Sequence, residues 1–167
     1  MKKALLVLII LSFMSLQVFA AELSIGTRVS YFMPPEAGAS STLMLGIDAD
    51  YNLGPHFLAQ LAVENANYTA GGSQYSLTPI TLTLMGYPAP GAPLEPYIGG
   101  GIGYYDKKID GVSASTTGIH AVAGIALNML TFIAGFEIKY TIPDIKDGSI
   151  NYTSVSANMT GGMYMKL

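Results

Sequence analysis

Two aspartates, Asp48 and Asp50, stand two positions apart, and a carboxylate pair is the feature of this sequence best suited to acid–base work. Positions i and i+2 share one face of a strand, so both point into one environment. On a face that also receives Arg28, such a pair fits an ion-pair network better than a catalytic dyad. His120 could pass a proton, but a glutamate, Glu137, is the partner its strand pattern offers, and the imidazole reads as a satisfied interior group. His56 sits beside the Gly54-Pro55 turn, and nothing in the spacing joins it to His120 as a metal site. The glycine run from Gly99 to Gly103 could cradle phosphate only ahead of a helix, and no helical pattern follows. Asn67-Tyr68-Thr69 and Asn151-Tyr152-Thr153 match a glycosylation pattern by chance. The expectation is no catalytic residue, no cofactor and no metal. In their place stands a structural interior network of Arg28, Asp48, Asp50, Glu64, His120, Glu137, Lys139 and Lys166.

The elements that position these residues alternate in residue class at every second position. The stretch from Thr117 to Ile142 is the plainest case. Ile119, Ala121, Ala123, Ile125 and Leu127, then Phe132, Ala134, Phe136, Ile138 and Tyr140, make one apolar face, while Gly118, His120, Gly124, Gly135, Glu137 and Lys139 make the other. A turn at Asn128 and Met129 would close this hairpin and set His120 opposite Glu137. Further strands are expected over 22–33, 42–53, 56–68, 75–87, 96–106 and 151–167, with a bulge or late start at Pro79. Loops are expected at 34–41, 69–74, 88–95, 107–115 and 144–150, from their Gly, Pro and polar content.

Eight strands result, and an even number returns the chain to its starting side. The fold predicted is all-β, an eight-stranded antiparallel up-and-down transmembrane β-barrel with a periplasmic N-terminus. Charge sorting is the strongest sign. Arg28, Asp48, Asp50, Glu64, Glu137, Lys139 and Lys166 all fall opposite the apolar series, and a Lys or Arg facing lipid at midplane costs ~2–4 kcal/mol. Only 11% of residues are charged, against about a quarter in soluble domains, which favours lipid over water outside the barrel. Tyr31, Tyr104, Tyr140 and Tyr152 are expected at one rim, and Tyr51, Tyr87, Tyr97 and Tyr164 at the other. Residues 1–21 read as a cleaved signal peptide, with Lys2 and Lys3 before an apolar run and small residues at Ala20-Ala21, leaving 22–167 as the barrel domain. Six basic against eleven acidic residues then remain, with no basic run, so nucleic acid is not a partner. The absence of cysteine excludes disulfides and thiolate metal sites.

The segments Thr78-Pro79-Ile80-Thr81-Leu82-Thr83-Leu84, Pro96-Tyr97-Ile98-Gly99-Gly100-Gly101-Ile102-Gly103-Tyr104 and Gly135-Phe136-Glu137-Ile138-Lys139-Tyr140 resemble the strands of bacterial outer-membrane barrels of the OmpA, OmpX and OmpW type. The resemblance implies a place in the outer membrane, with lipid, lipopolysaccharide and the barrel-assembly machinery as partners and a monomeric state. The family commonly ends in an aromatic residue, whereas this chain ends in Leu167. A lipid A deacylase family of similar size uses a strand histidine with a serine two positions on, but His120 is followed at that spacing by Val122. The favoured expectation is a non-enzymatic structural or surface-interaction barrel. The alternatives are a narrow conduit for small or hydrophobic molecules, lined by Leu58, Met44, Val122 and Phe32, and a soluble periplasmic β-barrel binder.

Overall fold

A computed structural model describes residues 23–129, 132–148 and 150–161. It contains eight strands: β1 Leu23–Met33, β2 Thr42–Gly54, β3 Phe57–Ala70, β4 Ser73–Gly86, β5 Leu94–Ile109, β6 Val112–Met129, β7 Phe132–Ile142 and β8 Tyr152–Gly161. Each pairs antiparallel with the next, and β1 pairs with β8, so the sheet closes into an up-and-down barrel with no exposed edge along the shared length of the strands. Residues 1–21, Gly162, Tyr164, Lys166 and Leu167 lie outside the described residues.

Side-chain alternation decides which face meets what. Outward positions carry Ile25, Val29, Leu45, Ile47, Leu61, Leu82, Leu84, Ile98, Ile102, Phe136 and Ile138, all exposed, with Ile98 at 70%. In water such a continuous apolar surface would drive association; in lipid it costs nothing. Within the apolar belt the charges take inward positions: Arg28, Asp48, Asp50, Glu64, Glu137 and Lys139 are all buried. The parity read from the sequence therefore holds for every one of the six that is described.

Strand lengths and registers differ from expectation in four places. The 69–74 stretch is two strand ends joined by Gly71-Gly72, both at positive φ (57° and 86°). The 107–115 stretch is likewise strand, turned at Asp110 (φ 49°) and Gly111 (φ 88°). Two-residue hairpin turns whose twist matches the sheet require left-handed backbone at both central positions, which Gly-Gly and Asp-Gly supply at least cost. The polar residues flanking these turns belong to strands that have risen clear of the apolar belt. At Pro79 there is neither a bulge nor a late start. Pairing passes from Val63 opposite Ile80 to Ala66 opposite Leu77 in one register, so the ladder merely opens around a residue with no N–H. Finally, β6 runs through Met129, which faces Phe132, and the connection falls at 130–131, outside the described residues. His120 consequently lies opposite Thr141, and Glu137 opposite Gly124. Sliding a hairpin by two residues preserves every side chain's face, so alternation alone could not place this turn.

The four strands β3 to β6 outreach their neighbours at the end bearing these two tight turns, here termed the upper rim. Above Val63, Ile80, Tyr104 and Ile119 their outward positions turn polar: Asn65 and Asn67, Ser76 and Thr78, Asp106 and Lys108, Ser113 and Ser115. That change marks the upper boundary of the apolar belt.

Candidate functional site

The barrel interior holds three stacked layers of side chains. The middle one is ionic, and it centres on Arg28 in β1, which is 1% exposed. Its Nη1 donates to Glu137 Oε1 on β7 at 2.9 Å, and its Nη2 donates to Gln60 Oε1 on β3 at 2.6 Å. Asp48 Oδ2 on β2 stands 3.7 Å from the same Nη2. Gln60 then uses its amide nitrogen as donor to Asp48 Oδ2 at 3.1 Å and to Asp50 Oδ1 at 2.9 Å. Lys139 Nζ lies 3.3 Å from Glu64 Oε2 and 3.9 Å from Glu137 Oε1. Four carboxyl groups thus face two cations, and neutral donors complete the set. Ser30 donates to Glu64 Oε1 at 2.6 Å, and Tyr97 donates to Glu137 Oε2 at 3.2 Å.

Sequence reasoning placed Arg28 against Asp48 and Asp50. The structure keeps Asp48, moves Asp50 onto Gln60, and gives the tightest charge contact to Glu137 on β7, two strands away past β8. His120 does not meet Glu137. Its Nε2 sits 2.8 Å from Thr83 Oγ1 on β4, over Gly101, where an added Cβ would come within 2.8 Å of the imidazole. No serine shares that contact; the hydroxyl beside His120 is that of Thr83, itself buried in the lumen at 1% exposure. His56 bonds the Tyr87 carbonyl through Nδ1 at the lower rim, with Nδ1···O 3.0 Å, remote from His120.

The upper layer is aromatic. Phe32, Met44, Ala66, Tyr68, Leu77, Tyr105 and Tyr152 form one buried cluster. Phe32 packs edge-on to Tyr152 at 5.0 Å between centroids, and Tyr68 stacks on Tyr75 at 5.1 Å. Glu36, from the β1–β2 connection, accepts from Tyr68 Oη at 2.9 Å and pairs with Lys107 Nζ, which tethers that loop across the layer. The lower layer comprises Met85, Tyr97, Val122 and Ala126, with Leu58 and Tyr87 packed against them. A small cavity of about 30 Å³ remains there, the share of a single water molecule. Phe32, Met44, Val122 and Leu58, which could have lined a path, instead fill these two plugs.

Three tyrosines assigned to the rims by the sequence point inward. Tyr152 and Tyr97 are buried, on the parity of Ser154 and Gly99, and Tyr87 packs against the lower cluster, while Tyr31, Tyr104 and Tyr140 are exposed on the outside. Tyr97 reaches inward because β6 offers Gly124 at that point, where a Cβ would lie 2.5 Å from the tyrosine. Gln60, Thr83 and Ser30 bond to the interior groups but were not among the network members expected from sequence. Each sits on the inward parity, which was the available signal, but an uncharged residue does not stand out there.

Fold and interior together define a class: a closed eight-stranded barrel with a lipid-suited exterior and a filled, polar-centred lumen. Solved structures of the same form include bacterial outer-membrane barrels and a transmembrane β-barrel designed de novo. The surface protein NspA of Neisseria superposes with a TM-score of 0.69 at 11% identity, over 86% of this chain and 97% of that one. The N-terminal barrel domain of Pseudomonas aeruginosa OprF gives 0.61 at 14%, over 86% and 98%. The attachment invasion locus protein Ail of Yersinia pestis, solved with a heparin analogue, gives 0.53 at 15%, over 85% and 95%. The chain thus has the OmpA, OmpX and OmpW kind of fold, as its strand motifs suggested. No family model matches the sequence, and no curated protein matches it.

Proposed function

We propose that this chain is a non-enzymatic, non-conducting outer-membrane barrel, exported by residues 1–21, matured to 22–167 and acting through its structure and its outer surface. The observation that carries this reading is the filled lumen. Aromatic, ionic and apolar layers lie in series, each drawing side chains from several strands, and ions would have to displace all three. Lipid and lipopolysaccharide surround it as a monomer, and the barrel-assembly machinery inserts it. The OmpW-like conduit is the second reading, and the packing of Phe32, Met44, Val122 and Leu58 weighs against it. Catalysis is disfavoured because the one hydroxyl beside His120, that of Thr83, is buried within the packed lumen, and Val122 stands where the deacylase resemblance would need a serine.

Purified protein in planar bilayers tests both readings. The expected result is no conductance above the empty membrane, while the same preparation shifts in mobility on boiling in detergent. Steady single-channel currents from the heat-modifiable form would replace this reading with the conduit.

A further inference from the structure

The small cavity of the lower layer lies under a charge surplus and beside an orphaned oxygen, and the packing of the lumen accounts for neither. The ionic layer above it sets four carboxyl groups against Arg28 and Lys139, which leaves two negative charges over among the described residues. His120 does not make up the difference. Its Nδ1 is buried without a hydrogen-bond partner, and a doubly protonated ring would strand an N–H there. The surplus falls on the β2 pair. Arg28 is shared between Glu137 and Asp48, Lys139 between Glu64 and Glu137, and Asp50 has no cation within ion-pair distance among the described residues. A charge held in a closed lumen without a counter-charge is costly, so something must supply one.

The oxygens around the cavity point to what that is. Gln60 donates to Asp48 Oδ2 and Asp50 Oδ1. The other Asp48 oxygen, Oδ1, belongs to a side chain with no solvent exposure and has no hydrogen-bond partner. It faces the bare Cα of Gly26 on β1, where a Cβ would strike both Asp48 Oδ1 and Thr160 Oγ1 from β8. Thr160 lines the cavity together with Asp50 and with Asn158, whose Oδ1 lies over Gly135 in the same wall. Oxygens from β2 and β8 thus meet across β1 around a space of about 30 Å³, which opens to the lower rim beside the exposed Ile133. Only barrel closure brings β8 against β1, so residue spacing along the chain shows no such site.

No third carboxylate, imidazole or thiolate joins the two aspartates among the described residues, and the remaining donors are neutral oxygens. An all-oxygen set suits a hard cation rather than zinc or copper. Charge and size narrow the choice. A monovalent ion would cancel only half the surplus. Magnesium keeps several waters in a near-octahedral shell, and a cavity the size of one water has no room for them, whereas calcium accepts carboxylate and amide oxygens at irregular angles. We propose that this pocket binds one calcium ion, held by Asp48 Oδ1, the Asp50 carboxylate, Thr160 Oγ1 and Asn158 Oδ1, with water at the lower mouth completing its shell. The ion neutralises the ionic layer from below and ties β2 to β8 across β1.

The test is calcium binding by the purified, heat-modifiable barrel, stripped with chelator and held in detergent free of lipopolysaccharide. Equilibrium dialysis against radioactive calcium should find one ion per barrel, with a Kd on the order of 10⁻⁴–10⁻³ M and magnesium about tenfold weaker. Calcium at about 100 times that Kd should raise the folded-to-unfolded ratio in urea roughly 100-fold over chelator. Asp50→Asn and Thr160→Val should each weaken binding by about tenfold or more, the loss of a charge-assisted or direct ligand. Asp144→Asn, in the β7–β8 connection, should leave it unchanged. An unaltered barrel that binds no calcium at about 10 mM, tenfold above the expected range, overturns the proposal. So does binding that survives Asp50→Asn and disappears with Asp144→Asn, since the ion then sits on a loop. A barrel whose urea midpoint ignores calcium and climbs on acidification also overturns it, because the counter-charge is then a proton. The first and last of these readouts use the unaltered chain and need no variant to fold. The site requires the closed barrel but not the outer-membrane reading, so its failure leaves that reading standing.

Discussion

Arg28 anchors the ionic layer because its two terminal nitrogens face three strands at once: β7 through Glu137, β3 through Gln60 and β2 through Asp48. Removing it leaves those carboxylates buried against Lys139 alone. Breaking one side of a buried charge network costs about 3–5 kcal/mol, because the surviving charges lose their compensation. Arg28→Leu is expected to lower the urea midpoint of the refolded barrel by that order. Adding Glu137→Gln should restore part of the loss, since it removes one of the stranded charges, and a double variant no more stable than the single would sever the proposed link. At Gly124 the constraint is steric. Valine there would drive a Cβ into both the Tyr97 ring and the Phe136 carbonyl, each 2.5 Å away, so Gly124→Val should fold poorly, and adding Tyr97→Ala should recover only part of the loss, because the backbone clash remains. The sequence revealed which residues enter the lumen, because lipid penalises an outward charge and every described charge within the apolar belt obeys that penalty. It did not reveal who bonds to whom. Arg28 meets Glu137 from β7, beyond β8, a contact set by barrel closure, and Gln60 bridges two aspartates as an uncharged residue no sorting rule singles out.

The hairpin β5–β6 shows how a strand can be mistaken for a loop. Lys107 to Ser115 is polar because it stands above the belt, and the Asp-Gly pair inside it is a hairpin signal in its own right. Asp110 also ties this turn to its neighbour. Its carboxylate accepts the Gln74 N–H at 2.8 Å, and its own N–H donates to the Gln74 carbonyl at 2.9 Å. That backbone donor, followed by the Ser73 hydroxyl, holds the Asp110 carboxyl below the usual carboxylate range. The sign follows from linkage: a lowered folded value means the contact is fully present above the unfolded value and is lost as pH falls through the folded one. The Gln74 amide proton shift, followed by NMR in detergent, should therefore titrate with an inflection below ~3.9, and Asp110→Asn should abolish the titration. An inflection at or above the ordinary aspartate value would mean the contact does not form in solution. Strands β1, β2, β7 and β8 end close to the belt, so their limits were readable from apolar alternation alone; β3 to β6 continue on polar residues, which alternation of apolar and polar cannot follow.

At the scale of the whole barrel, the arrangement of its three layers in series makes a distinct claim about permeability. Layers stacked along one axis add their resistances, so the tightest remaining layer controls the current whatever happens to the others. The upper plug rests on Phe32, Tyr105 and Tyr152, the middle on Arg28 and its partners, and the lower on Tyr97, Met85 and Val122. Tyr97 belongs to both the middle and lower layers, through its hydroxyl on Glu137 and its ring against the lower cluster. Phe32→Ala alone should leave the barrel silent in planar bilayers, because the ionic layer beneath it stays intact. Tyr97→Ala loosens two layers but leaves the upper plug in place, and it should also stay silent. Only the combination of Phe32→Ala, Tyr105→Ala and Tyr97→Ala with Arg28→Leu opens all three, and resolved channel currents are expected from that variant, provided it retains its heat-modifiable mobility. If Phe32→Ala by itself conducts, the ionic layer is permeable and the unaltered protein is a channel closed by one plug, a gated device rather than a solid barrel. If the combined variant folds and still passes no current, the strands have closed inward on the vacated space, and the barrel wall itself, not its filling, sets the barrier.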